Sequence, residues 1–404
     1  MTFGSRIGAA VALALAATTL VACGSDGGSD ADSASAPKPT AAKPTGSEIK
    51  IMTIAVKSNP VLTQSQQFAA AQAKVDYIND SGGINGHPLT LIQCDSNLDP
   101  NQEGACFDQA IKEKVSAITG STVLFASDLS ALAAAKIPMV GTQGLVPAEL
   151  GYEYGYTFGN NINWFKGLAA TAVSDGLKKV AITFTDTDAG KFSGDLMTAG
   201  LEAGNVDITE SLAHAPTGGD RSAEAATLTK DDPEAILFSG TSEAVVPLMQ
   251  AVRQSGYTGE LYTISPDLTP SGIKALGAAG DGIHVIGRGR FLTDSSEKIQ
   301  QYKDDIANYA PSDTDMDENG TLGWSGVDLF ATVMAKADSF TGADVIKQMD
   351  ALTEPVEAGT FGPFVGAGTG CDPDFPKLLN TNFIVGTLKD GEITANTGDF
   401  QSYC

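Results

Sequence analysis

The stretch Ser65–Asp95 constrains the fold more than any other part of the chain. Phe68, Ala71, Val75 and Ile78 recur at helical spacing and give one apolar stripe. Asn79, Asp80, Gly82 and Gly83 stop that helix, because glycine accepts the left-handed cap conformation without a steric penalty. Gly86 and Pro88 end the following turn, Leu89–Cys94 is a short β-rich run, and Ile49–Val56 upstream is another. Strand, helix and strand within about 45 residues make a βαβ unit, so the sheet they enter should be parallel.

The same plan continues down the chain. A helix over Gln102–Lys114, a strand Val115–Thr119, an Ala-rich helix Leu124–Ala135 and a strand Ile137–Val140 follow. A second run starts after Asn160. It places helices at Trp164–Asp175, Lys191–Ala203 and Glu243–Ser255 among strands Lys179–Thr185, Val206–Leu212, Ala235–Ser239, Glu260–Ile264 and Gly282–Gly287. Helices near Ser295–Tyr309, Leu322–Ala337 and Ala343–Leu352 come next, then a last strand Phe383–Leu388 and the turn Lys389-Asp390-Gly391. At 404 residues the chain is too long for one ordinary domain and suits two.

Asp and Glu number 49 against 25 Lys and Arg, a formal charge of −24. Such a charge repels phosphate backbones and anionic surfaces, which argues against a nucleic-acid partner. Solvated acidic faces account for most of it. Met1–Ala22 reads as a targeting segment: Arg6 is its positive start and Ile7–Leu20 its apolar core. It ends Leu20-Val21-Ala22-Cys23-Gly24, which resembles the lipobox of bacterial lipoproteins. That resemblance implies that the Cys23 thiol receives diacylglycerol and anchors the mature chain, two acyl chains being enough for stable anchoring. Residues 23–47 then form the lipid anchor and a disordered linker. The linker is Gly/Ser/Asp-rich at first and Pro/Ala/Lys/Thr-rich later.

Four cysteines remain once Cys23 is lipidated, an even number for an oxidising exterior. Three pairings are possible. Cys94 ends a strand and Cys106 sits on the helix just after it, so these are natural neighbours, and Cys371 would then pair with the terminal Cys404. A metal site is not expected: CxxC spacing is absent, and His87, His214 and His284 stand apart from the cysteines.

Other signals for chemistry fail on inspection. Asp313-Thr-Asp315-Met-Asp317 starts like a calcium loop, but Glu318 stands where glycine is needed and Trp324 where a carboxylate is needed. Gly287-Arg-Gly289-Arg lacks the third glycine of a dinucleotide fingerprint. Gly323-Trp-Ser325-Gly326 is a partial look-alike of a nucleophile elbow inside a helix start. No acid–base or nucleophile constellation emerges, so neither an enzyme nor a cofactor is expected.

One resemblance covers the chain from about Ile49 to the C-terminus. Ile-Asn-Asp-Ser-Gly-Gly-Ile-Asn-Gly-His-Pro-Leu, followed by Asp99-Pro100, resembles the branched-chain amino acid class of solute-binding proteins that serve ATP-driven (ABC) importers. It implies the type I periplasmic-binding fold: two Rossmann-like α/β lobes with parallel sheets flanked by helices, joined by three chain crossings. On that plan residues 48–163 and 291–375 form lobe I, and residues 164–290 and 376–404 form lobe II. It further implies a monomeric, extracytoplasmic receptor that captures a small polar solute and hands it to permease subunits in the bacterial cell membrane. A solute sensor for a signalling partner and a surface-anchored enzyme are the alternatives.

Ligands of open α/β sheets bind beyond the carboxyl ends of strands, where helix N-termini offer free N–H groups. In lobe I those places are Gly120-Ser121-Thr122 and Gly141-Thr142-Gln143, with hydroxyls and amides suited to a carboxylate. In lobe II they are the segments holding Asp186, Thr241 and Asp267. The resemblance implies that Asp267 meets a ligand ammonium. Each could instead cap a helix with no ligand. Ala189 and the Asn59-Pro60 loop stand where branched-chain binders carry aromatics, which points toward a different or larger solute.

Overall fold

The computed structural model describes residues 36–59, 62–125, 128–217, 219–365, 375 and 378–403. The expectations for Met1–Ala22, Cys23, Cys371 and Cys404 lie outside the described residues.

The first half opens with β1 (Ile49–Ala55), α1 (Ser65–Asp80), β2 (Leu89–Asp95), α2 (Pro100–Glu113) and β3 (Ala117–Thr119). It continues with α3 (Ser130–Ala134), β4 (Met139–Thr142), α4 (Pro147–Leu150) and β5 (Gly155–Thr157). These strands make a parallel five-stranded sheet in the order β2-β1-β3-β4-β5, the sheet of lobe I. The stripe of α1 faces it, with Phe68, Ala71, Val75 and Ile78 all buried. Asp99 caps α2 by accepting the Asn101 and Gln102 N–H groups, with Pro100 in the first turn. Cys94 and Cys106 are joined by a disulfide, their Cα atoms 5.8 Å apart.

α3 is shorter than the expected Leu124–Ala135. The buried Glu103 carboxylate accepts the N–H groups of Leu124 and Phe125 at 2.8 and 2.9 Å, which holds them out of a helix. The helix starts only at Ser130, whose N–H is taken by Asp128 at 2.9 Å.

The chain next builds a second layer through α5 (Asn160–Ser174), β6 (Lys179–Thr185), α6 (Asp188–Ala203), β7 (Asp207–His214) and α7 (Ser222–Thr229). β8 (Ala235–Phe238), α8 (Ser242–Gln254), β9 (Glu260–Ile264), α9 (Pro270–Leu276) and β10 (His284–Gly287) complete that run. It returns to the first sheet with α10 (Glu297–Tyr309), α11 (Glu318–Met334) and α12 (Gly342–Asp350). Leu322, Phe330 and Met334 of α11 share a core with Ile51 and Val75. Finally β11 (Asn382–Lys389), β12 (Glu392–Ala395) and β13 (Gln401–Ser402) join the second sheet, ordered β12-β11-β10-β9-β8-β6-β7 with β13 on β11. This is lobe II.

Parallel pairing holds for β6 to β10, but β11 runs antiparallel to β10 and β12 antiparallel to β11. The hairpin turn Asp390-Gly391 has φ of 52° and 83°, the mirror-image turn that matches strand twist. The parallel sheets expected of both lobes are present, with antiparallel strands added at this edge of lobe II.

α11 packs close against α1 and the end of β3. A Cβ on Gly323 would lie 2.2 Å from the Gln67 carbonyl oxygen, and one on Gly326 would lie 2.2 Å from the Gly120 nitrogen. The look-alike nucleophile motif is therefore a packing surface. Residues 36–47 run along lobe I in irregular conformation, with hydrogen bonds from Ala36 N to Asp304 (3.1 Å), Ala41 N to Asp80 O (3.1 Å) and Gly46 N to Gly86 O (2.8 Å).

Candidate ligand-binding site

The strand ends of lobe I bring Ser121, Thr122 and Gln143 together. The Ser121 hydroxyl accepts the Ile54 N–H at 2.9 Å and donates to the Thr119 carbonyl at 3.0 Å. Thr122 Oγ1 lies 3.2 Å from Gln64 Nε2, 3.0 Å from Gln67 Oε1 and 2.8 Å from Gln143 Oε1. Gln67 also donates to the Gly120 carbonyl at 2.7 Å. Thr142 lies against Glu149, whose carboxylate accepts the Gly144 and Leu145 N–H groups. Burial pushes Glu149 up to about 7 against those donors. Gln64, Gln67 and Glu149 were missed by sequence reasoning; two glutamines at the start of an otherwise apolar helix were the signal available.

The lobe II residues stand apart from one another. Asp186 is exposed and pairs with Lys191 at 3.2 Å. Thr241, also exposed, donates to the Pro216 carbonyl at 3.3 Å. Asp267 is buried, accepts from Thr263 at 2.9 Å and from the Gly240 N–H, and is held well above the usual carboxylate range by burial. Among the described residues, no hydrogen bond joins Asp267 to Ser121, Thr122 or Thr142.

The lobes meet instead around Arg288, just after β10. Its Nε lies 2.9 Å from Glu318 Oε1, its Nη2 donates to the Glu318 carbonyl at 3.0 Å, and Ser265 of lobe II donates to Glu318 Oε2. The guanidinium is stacked between the rings of Trp164 (4.9 Å) and Phe361 (4.8 Å). Burial lowers Arg288 to about 10 and raises Glu318, even though each opposes the other's shift. Asp317, the last carboxylate of the failed calcium pattern, caps α11 by accepting the Gly320 N–H at 2.9 Å. Sequence reasoning reached neither Arg288 nor Glu318; an arginine set between glycines directly after a strand was the clue.

Next to this junction is a cavity of about 210 Å³. Its walls are Ser265, Pro266 and Leu268–Pro270 from lobe II, the irregular segment Gly289–Thr293 after β10, and Met316–Asn319 with Thr321 at the start of α11. A larger cleft of about 440 Å³ lies on lobe I alone, between α1 and the acidic segment Asp313–Asp315. Of these two, the smaller has walls from both lobes, so it is the better candidate for a solute that must hold them together.

Two lobes with a cavity between them define a two-lobed α/β binding architecture. A family model for periplasmic binding proteins matches residues 48–371, and the chain belongs to that family of solute-binding receptors, whose members work outside the cytoplasm. No helix among the described residues is long and apolar enough to cross a membrane. Solved structures share the type I periplasmic-binding fold at low identity. An extracellular ligand-binding receptor from Verminephrobacter eiseniae is 15% identical with a TM-score of 0.75, covering 86% of this chain and 99% of that one. A branched-chain amino acid ABC transporter protein from Thermus thermophilus with bound valine is 13% identical, TM-score 0.73, covering 88% and 96%. A solute-binding protein of an R. palustris ABC transporter in complex with 4-hydroxybenzoate is 17% identical, TM-score 0.71, covering 88% and 97%. No curated protein sequence matches the chain.

Proposed function

We propose that this protein is a lipid-anchored receptor of an ABC importer, which captures an amino acid or related small solute between its lobes and passes it to permease subunits. The observation that carries this reading is the cavity walled by both lobes and by the segment Gly289–Thr293 after β10. A solute touching both walls has contacts in the closed form that the open form lacks, and this differential drives closure. The lobe limits given above, with crossings near residues 160, 290 and 375, are part of the proposal, and so is the Cys23 anchor.

The hydroxyls of Ser121 and Thr122 and the Gln143 amide oxygen already have partners inside lobe I, which a solute there would have to displace. The cavity is open space with walls from both lobes, so we place the solute there. A thermal-shift screen against amino acids, amides and aromatic acids tests the reading. A solute at 100 times its dissociation constant adds about 2.7 kcal/mol to stability. Turnover of a hit, or the absence of any hit, would remove it. For the anchor, Cys23→Ala should move the protein out of the membrane fraction.

A further inference from the structure

The chemistry of the cavity walls restricts the solute further; this inference rests on the receptor reading above. Most of the lining is hydrocarbon, from Pro266, Leu268, Ile273, Phe291, Met316 and Ile393. An apolar cavity of about 150 Å³ is enough to hold benzene. At about 210 Å³, this one has room for a single ring and a short substituent but not for a long acyl chain.

The charged lining is unbalanced. Asp317, Glu318 and Glu392 face one cation, Arg290. Arg290 is already engaged: its Nη1 donates to Asp294 at 3.2 Å and to the Gly398 carbonyl at 3.1 Å, and its guanidinium lies 5.0 Å from the Phe400 ring centroid. Arg288 balances Glu318 from behind and is not part of the lining. What remains is a wall of hydrogen-bond acceptors at the N-terminal end of α11. Asp317 accepts from the Gly320 N–H at 2.9 Å and from Gln66 Nε2 at 2.6 Å, and Glu318 from Arg288 and Ser265, yet burial raises both carboxylates above their ordinary values.

We propose that the cavity binds a compact solute with an apolar body about the size of one ring and an ammonium or other donor-bearing end directed at Asp317 and Glu318. A carboxylate in the same place would meet like charge in a poorly solvated setting. One feature favours the opposite preference. Arg288 Nη1 and Trp164 Nε1 are buried donors with no acceptor among the described residues. A solute acid that reached them would bind better than the amine, so the pair of probes below decides between the two.

The experiment is titration calorimetry of the full-length protein with phenethylamine, hydrocinnamate and laurate. Phenethylamine should bind at least tenfold more tightly than hydrocinnamate, and laurate should give no binding heat. Met316 is 42% exposed, so Met316→Trp fills the mouth of the cavity without disturbing the core. It should weaken phenethylamine tenfold or more, as should Ile273→Trp from the opposite wall. Hydrocinnamate binding as tightly as the amine, or affinity unchanged in both variants, overturns the proposal. If an amino acid from the thermal-shift screen binds equally well to wild type and to both variants, the receptor reading stands and this assignment falls. If neither the screen nor these probes bind, both fall.

Discussion

The two lobes share a plan and differ in what holds their interiors. Lobe I buries a charge network: Lys74 of α1 lies 2.7 Å from Asp328 and 4.0 Å from Asp305, and Lys298 lies 2.7 Å from Asp328. Trp324 donates to Asp305 at 2.8 Å, and the Gly359 N–H to Asp328 at 2.7 Å. Lobe II is packed with hydrocarbon such as Ile236, Phe238, Val245 and Leu261, and its buried Asp267 has no cationic partner among the described residues. The difference follows from chain path. The helices of lobe II come mainly from one continuous run, whereas lobe I joins α1 to α10 and α11, which arrive only after the chain has crossed lobe II. The network links Lys74 from the first visit to Lys298, Asp305 and Asp328 from the second. It acts as a clamp between two separate parts of the sequence.

The comparison breaks most directly at Lys74. Lys74→Ala leaves the buried Asp305 without its cation and Asp328 with Lys298 alone, and should cost roughly 3–5 kcal/mol in urea unfolding. A cost below about 1 kcal/mol would mean that shape alone holds α1 to α11. Next in size is the covalent tie on the same lobe. Replacing Cys94 and Cys106 by serine should cost about 3 kcal/mol on the loop-closure estimate, read from the same midpoint.

A smaller effect sharpens the electrostatic half. Burial holds Asp305 at about 6 against its ordinary 3.8, so folded lobe I binds that proton more tightly than the unfolded chain does. As pH rises from about 4 through about 6, this group therefore lowers stability. Asp328 has the opposite sign: against burial, Lys74 and Lys298 hold it below the ordinary 3.8, so its contribution is intact across that range and is lost only as pH falls below about 3.8. Asp305→Asn should make the urea midpoint climb more steeply with pH between these limits than it does in wild type. An identical slope in the variant counts against the clamp. On the lobe II side, Ile236→Val removes one methylene from a neutral core and should cost about 1 kcal/mol, with no pH dependence. Smallest of all, Asp186→Ala breaks a pair whose ends are 60% and 58% exposed and should change stability by less than about 0.5 kcal/mol.

Much of the frame was legible because it is local. The stripe Phe68-Ala71-Val75-Ile78, the glycines after it and the Asp390-Gly391 turn all appear where periodicity and turn chemistry place them. What was missed or misplaced was short or propped from afar: β5 has three residues, and the helix expected over Leu124–Ala135 starts only at Ser130 because the Glu103 carboxylate on another helix holds its first residues. The site was less legible still. Ser121 and Thr122 stand at strand ends, but no local pattern shows that Gln64, Gln67 and Gln143 already engage Thr122. Arg288 finds Glu318 only through the return of the chain to lobe I. Lys74 was the one readable sign of the clamp, a lysine set against an apolar stripe.

The chain holds two tryptophans, one at each of these charged places. Trp324 lies under the Lys74 ammonium at 4.3 Å within lobe I, and Trp164 lies under the Arg288 guanidinium at the lobe junction. Indole emission responds to a nearby cation, so the protein carries two built-in fluorophores with separate assignments. In a Trp324→Phe background the remaining signal follows movement between lobes, and in a Trp164→Phe background it follows the integrity of lobe I. Solute capture and local melting could then be recorded optically in one cuvette, without attached dye.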